Sequence, residues 1–197
     1  MEKNKISGSF WLVSIGVCCL LLIIVIVGFI AFSNRKGKVM ENEENGGNLV
    51  LNYTGNTSGL YLENIIPTTD TIAKSSLKDG EYLDFSVSTE LDNATVIDYE
   101  LALVIVSSKT TITNADLKVY LEQEKSGTYT AVFEPKVFEG IKSKSELGAP
   151  LGSMILTSVK KSKSGDDNYR LRVWLADTSL LEKGNVEVEL KLFGNAK

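Results

Sequence analysis

The chain has 197 residues, of which 43% are hydrophobic and 23% are charged, and its formal net charge is −4. It contains no histidine, and its two cysteines, Cys18 and Cys19, are adjacent within an apolar run. Ser-His-Asp and Cys-His arrangements need an imidazole base, zinc sites are built mainly from His and Cys, and nucleic-acid binding needs a basic surface. We therefore expect no enzyme, no catalytic residues, no metal site, no cofactor and no nucleic-acid partner.

An apolar segment, residues 10–32, dominates the N-terminal part of the chain and carries no charged residue. As an α-helix it would be about 34 Å long, which is enough to cross a hydrocarbon core of about 30 Å. We interpret it as a single transmembrane helix that serves as a signal anchor, preceded by a short tail, residues 1–9. The alternative is a cleaved secretory signal, because Lys3 and Lys5 precede the run and small residues flank Phe32 at the spacing that a signal peptidase reads. The length favours the anchor, since signal cores usually have about 7 to 15 apolar residues.

The character of the body decides the predicted orientation of this helix. Two lysines precede the helix and three basic residues follow it, so the flanking charges do not decide. The body is rich in Thr, Ser and Asn and has no thiol, a composition that is common outside the cytoplasm. We predict a single-pass cell-membrane protein with a cytoplasmic N-terminus, an extracytoplasmic C-terminal domain, and the lipid bilayer as the partner of residues 10–32.

A polar stretch, residues 33–48, follows the apolar segment, changes from basic to acidic, and contains the pair Gly46-Gly47. It is predicted to be a flexible linker. From Leu49 onward the dominant period is two, as expected of strands with one buried face. The longest alternating run, Ile97–Ile105, is largely apolar on both faces, so we expect it to be a central strand. Residues 49–197 are predicted to form one extracytoplasmic domain.

Nine strands are predicted in this domain, separated by turns rich in Gly, Asn and Asp. They lie at residues 48–53, 60–66, 81–88, 96–106, 117–122, 128–133, 153–160, 170–175 and 186–192. Asp166–Asn168 is interpreted as a turn and not as a calcium site, because Asx residues favour turns. Residues 134–150 are predicted to be a crossover loop or a single helical turn. The predicted fold class is therefore all-β: an antiparallel two-sheet sandwich of about nine strands, jelly-roll or immunoglobulin-like in topology, preceded by a single transmembrane helix.

The first part of the domain resembles a known family. The segment Tyr61–Pro67 with Asp70, then Gly80 leading into Leu83–Val87, is similar to the small secreted β-sandwich proteins of Gram-positive bacteria typified by TasA and camelysin. The resemblance implies an exported jelly-roll domain that in some members assembles into matrix fibres by donating an N-terminal strand. Camelysin-type proteins have also been classed as metallopeptidases, an activity that we do not expect in a chain without histidine.

One strand face is a candidate ligand or partner surface. Arg170, Arg172 and Trp174 alternate along one predicted strand and share a face, a pattern that suits stacking and hydrogen bonding to a sugar or a peptide. The alternative is structural: Glu187 and Glu189 on the following strand are then the cross-strand partners of the arginines, and the crossover loop covers Trp174.

The predicted first strand has two interpretations. Leu49, Leu51 and Tyr53 alternate directly after the glycine pair. The strand either completes this domain's own sheet or is donated to a neighbouring subunit by β-augmentation.

The sequence thus favours a non-enzymatic, membrane-anchored cell-surface β-sandwich protein with a structural or interaction role, partnered by itself or by another surface protein. The alternatives are a secreted matrix-fibre subunit, cleaved after Ser33 and assembled by strand donation, and a surface module that binds glycan or peptide.

Overall fold

The computed structural model describes residues 39–42, 47–53, 58–75 and 82–197, all of them within the unit Lys36–Lys197. The predicted tail and transmembrane helix, residues 1–32, lie outside the described residues, as do parts of the predicted linker. Among the described residues, no helix is long and apolar enough to span a membrane.

Ten strands and one short helix make up the described part of the chain. In chain order they are β1 (Val39–Asn42), β2 (Gly47–Tyr53), β3 (Gly59–Ile65), α1 (Asp70–Ser75), β4 (Tyr82–Leu91), β5 (Ile97–Ile105), β6 (Leu117–Lys125), β7 (Thr128–Val137), β8 (Met154–Lys161), β9 (Gly165–Leu175) and β10 (Gly184–Ala196). Several strands alternate buried and partly exposed residues, most clearly β4 and β10. This is the pattern expected when one face of a strand packs on a core and the other meets solvent.

The strands form two antiparallel sheets. The six-stranded sheet has the order β1-β2-β4-β9-β6-β7, and the four-stranded sheet has the order β3-β10-β5-β8. Within the described residues, only β1–β2 and β6–β7 are sequence neighbours that also pair with each other. Every other connection crosses from one sheet to the other, so strands that are close in sequence seldom lie side by side.

One hydrophobic core lies between the two sheets. The six-stranded sheet contributes residues such as Phe85 and Leu171, and the four-stranded sheet contributes residues such as Leu101 and Leu190, all of them buried. Burial of these apolar faces is the main driving force for a two-layer fold. The predicted all-β fold of two antiparallel sheets is confirmed, and so is the interior position of the strand Ile97–Ile105, which is β5.

Several local features differ from the sequence-based expectations. Val39–Asn42 forms an edge strand within the stretch predicted as a linker, because its backbone pairs with β2 even though its residues show no alternation. Asp166–Asn168 is not a turn but part of β9, since its residues pair with β4. The helix α1 was not predicted. Between β7 and β8, residues 138–153 cross from one sheet to the other as a loop, and Phe138 is buried.

A polar link joins the two sheets inside the sandwich. Tyr99 on β5 donates a hydrogen bond to Asp167 Oδ2 on β9 at 2.8 Å, and its hydroxyl lies 2.9 Å from that of Tyr169. Lys161 Nζ lies 2.8 Å from both carboxylate oxygens of Asp167. The single proton of the Tyr99 hydroxyl is used toward Asp167, so Tyr169 must be the donor between the two tyrosines. The ring of Tyr169 also stacks on Phe85, with centroids 5.4 Å apart.

Candidate functional site

The outer face of the six-stranded sheet carries the three side chains that the sequence singled out, beginning with Arg170 on β9. Its guanidinium donates two hydrogen bonds of 2.7 Å to the carboxylate of Asp84 on β4. The same group lies over the rings of Tyr82 and Tyr129, 4.6 and 4.3 Å from their centroids. The bond to Asp84 raises the pKa of Arg170 above its usual range. Arg170 is therefore held by its own sheet, through a bidentate ion pair and two neighbouring aromatic rings.

Arg172 lies one step further along the same face and is buried. Its Nε donates to Glu122 Oε2 on β6 at 3.2 Å, and its guanidinium lies 5.4 Å from the centroid of Tyr82. The prediction that Glu187 and Glu189 are the partners of the arginines is wrong. Both glutamates lie on β10, which belongs to the four-stranded sheet and does not pair with β9.

Trp174, the third residue of the predicted face, is covered by the helix α1. It is 6% exposed and forms a small buried cluster with Tyr120 of β6 and Ala73 of α1. The sequence analysis assigned this cover to the crossover loop after β7, but α1 provides it. The alternating pattern did not indicate this helix.

Two ion pairs hold α1 against the six-stranded sheet. Lys74 Nζ lies 2.8 Å from Glu134 Oε2 on β7, and Lys118 Nζ on β6 lies 3.4 Å from Asp70 Oδ2. Just before the helix, the backbone nitrogen of Thr68 donates to the Leu175 carbonyl at 3.0 Å, at an isolated parallel bridge beside the end of β9. The segment from β3 to α1 is therefore attached to the six-stranded sheet at Thr68 and again at the helix. A depression lies between this segment and the sheet.

This depression, which we call the Trp174 groove, has a volume of about 900 Å³ and lies between the 62–75 segment and the end of β9. Ile66 and Ile72 line it and remain 64% and 60% exposed. Trp174 and Arg172 also line it. The indole nitrogen of Trp174 is buried and finds no hydrogen-bond acceptor in the part of the chain that the structure describes. The groove thus offers exposed apolar side chains to solvent, whereas the indole nitrogen beside it is shielded from solvent.

The candidate donor strand is β2. It pairs with β4 of its own domain, from Gly47 opposite Leu91 to Tyr53 opposite Phe85. Leu49 and Leu51 are buried in the core, and the Tyr53 hydroxyl donates to the Leu190 carbonyl at 3.1 Å. In a single chain this strand therefore serves as the domain's own first full strand.

Across the described ranges, no group of three or more His, Cys, Asp or Glu side chains is placed to hold a metal ion. No protein-family model, curated protein or solved structure matches the chain. The resemblance to TasA and camelysin therefore stays a prediction.

Sequence reasoning found Trp174 but missed the groove beside it. The missing residues, Ile66 and Ile72, fall where the period of two ends, in a short segment with Pro67 and no periodicity of its own. The available signal was Ile72, an isoleucine outside any predicted strand, six residues after Ile66 at the very end of the predicted strand 60–66.

Proposed function

We propose that this chain is a non-enzymatic, membrane-anchored cell-surface protein whose β-sandwich domain binds another surface protein through the Trp174 groove. The anchor rests on the charge-free apolar run of residues 10–32. The non-enzymatic role rests on the absence of histidine from the whole sequence.

The single observation that carries the binding role is the apolar surface of Ile66 and Ile72, which line the same groove and stay 64% and 60% exposed. Apolar surface gathered in one depression marks an interaction site more often than isolated exposed side chains do. A partner with an apolar surface removes both side chains from water.

The position of β2 favours a tethered module over a fibre subunit that donates this strand. Donation requires Leu49 and Leu51 to leave a core in which they are 5% and 3% exposed. Removing two buried leucines from a core costs several kcal/mol, which must be recovered in the neighbouring subunit.

Photo-crosslinking on intact cells tests the binding role. Photo-reactive p-benzoylphenylalanine replacing Ile72 is expected to give a discrete crosslinked product, and the product is expected to disappear when Ile66→Asp is added. The matched control places the same amino acid at Val132, an exposed position on β7 outside the groove. Equal crosslinking from positions 72 and 132, or a product that survives Ile66→Asp, contradicts the groove as the binding surface.

The anchor is tested separately by the mass of the protein in the membrane fraction. An intact chain from Met1 that resists alkaline extraction supports the anchor. A soluble product that begins near Asn34 contradicts it and favours the secreted alternative.

A further inference from the structure

We propose that the ligand of the Trp174 groove is an extended peptide segment that presents an apolar side chain flanked by positive charge. This inference rests on the proposed function and names the chemistry of the partner at the same site.

The extent of the groove favours a peptide. Its lining runs from Leu62 on β3 to Ser75 at the end of α1, and it includes residues from Arg172 to Asp177 at the end of β9. A segment in extended conformation fits a long depression of this kind. The indole nitrogen of Trp174 is shielded from solvent, so the ligand does not reach it.

The shape and lining of the groove select an apolar side chain. Ile66, Ile72 and Pro67 line it, and the two isoleucines keep more than half of their surface exposed. The volume of about 900 Å³ lies at the upper end of the range of about 300 to 1,000 Å³ that is usual for ligand sites. The groove therefore has room for several residues of an extended chain.

The charges of the groove select a cation. Glu63 and Asp177 line it and are both exposed. Within the described ranges, no Lys or Arg nitrogen lies within 4.0 Å of either carboxylate; Glu63 accepts a hydrogen bond of 2.7 Å from Tyr61, which leaves its charge in place.

Among the described residues, the cations near the groove have carboxylate partners. Arg172 donates to Glu122, and Lys74 lies 2.8 Å from Glu134 on the far side of α1. The rim of the groove is therefore negative, like the chain as a whole with its net charge of −4. A basic residue beside the apolar anchor gains from this potential, whereas an acidic one is repelled.

Fluorescence of Trp174 tests the inference directly. Trp11 and Trp174 are the two tryptophans of the chain, so Trp11→Phe makes Trp174 the sole reporter in the full chain in detergent micelles. The probes are two synthetic peptides with capped ends, Lys-Leu-Val-Leu-Lys and Glu-Leu-Val-Leu-Glu. We expect a saturable change in emission with the lysine peptide and binding of the glutamate peptide that is about tenfold weaker or more.

Variants separate the charge from the apolar contact. Glu63→Gln and Asp177→Asn are each expected to lower the affinity for the lysine peptide by up to about fivefold. A salt concentration of about 1 M is expected to lower it to a similar extent. Ile66→Asp is expected to abolish binding of both peptides. Glu90→Gln, which removes an exposed carboxylate from β4 outside the groove, is the matched control and is expected to change nothing.

The outcomes distinguish the inference from the proposed function. Equal affinity for the two peptides, or an affinity that is unchanged by Glu63→Gln and Asp177→Asn, overturns the inference on charge. No binding of either peptide, together with a specific crosslink at position 72, overturns the peptide chemistry and leaves the proposed function standing. Peptide binding that persists in Ile66→Asp overturns both.

Discussion

The polar link between the sheets provides a quantitative test of the structure. In Tyr99→Phe the ring that fills the core is kept and only the hydroxyl is lost, so no cavity forms. The lost hydroxyl donates to the carboxylate of Asp167 at 2.8 Å and lies 2.9 Å from the hydroxyl of Tyr169. Both of these contacts disappear in the variant.

The expected magnitude follows from which groups lose a partner. A hydrogen bond to a charged group contributes about 1.5 to 3 kcal/mol, and a buried hydroxyl left unsatisfied costs about 1 to 3 kcal/mol. Tyr99→Phe removes the hydrogen bond to the charged Asp167 and leaves the buried hydroxyl of Tyr169 without a partner. We therefore expect a loss of about 3 to 5 kcal/mol in the free energy of unfolding. Tyr169→Phe removes only the bond between the hydroxyls, and Tyr99 keeps Asp167, so we expect a loss of about 1 kcal/mol.

Urea unfolding of the full chain in a mild detergent measures these values, with Trp174 as the fluorescent reporter in a Trp11→Phe background. Tyr61→Phe is the control, because its hydroxyl bonds an exposed glutamate and its loss is expected to cost less than about 0.5 kcal/mol. The double variant Tyr99→Phe/Tyr169→Phe should be no less stable than Tyr99→Phe alone, because it removes the orphaned hydroxyl. A Tyr169→Phe variant that costs as much as Tyr99→Phe, or a double variant that costs the sum of the two, contradicts this arrangement of hydrogen bonds.

Four further outcomes are expected. Burial raises the pKa of Tyr169 to about 12, above the value of about 10 in an unfolded chain, so its stabilising effect is complete below about pH 10 and is lost as the pH rises through 12; a urea midpoint that does not fall between pH 9 and pH 11.5 contradicts this. Gly59→Ala places a Cβ atom against the carbonyl of Val188 on β10, and we expect the displaced edge strand to cost about 2 to 3 kcal/mol in urea unfolding. Arg170→Lys replaces a two-pronged contact by a single ammonium, and the same assay should show a loss of about 1 to 2 kcal/mol. Leu180 is fully exposed, so Leu180→Ser should change the free energy of unfolding by less than about 0.5 kcal/mol in the same assay; a large loss of stability would show that the side chain packs against another part of the chain.

Local patterning was sufficient to predict the strands of the sandwich. Strands such as β4 and β10 bury every second residue. Because the buried positions need apolar side chains, the sequence of such a strand alternates with a period of two. The same criterion failed for β1, whose four residues, Val39–Asn42, show no alternation and form a strand only because β2 offers a free edge. Backbone pairing by itself imposes no periodic pattern on a sequence.

Partners across strands were not predictable, because they depend on topology. The sequence pattern pairs Arg170 with the strand that follows it, whereas its carboxylate partner, Asp84, lies 86 residues earlier in the chain. Crossing between sheets at almost every connection separates sequence neighbours and joins distant segments. The Trp174 groove was missed for the same reason, since its two sides come from the 62–75 segment and the end of β9.

The place of β10 in the four-stranded sheet has a consequence for how the protein folds. Gly184–Ala196 lies between β3 and β5, pairing Leu62 with Val186 on one side and Leu101 with Leu192 on the other. Until this last strand has been synthesised, β3 and β5 have no common neighbour, and each presents an unpaired edge to other chains. Contacts of such high sequence separation also slow folding, to milliseconds or longer in β-sandwiches. Assembly of the domain is thus tied to the arrival of β10, and the interval before it is the stage at which the chain is most exposed to aggregation and to proteolysis.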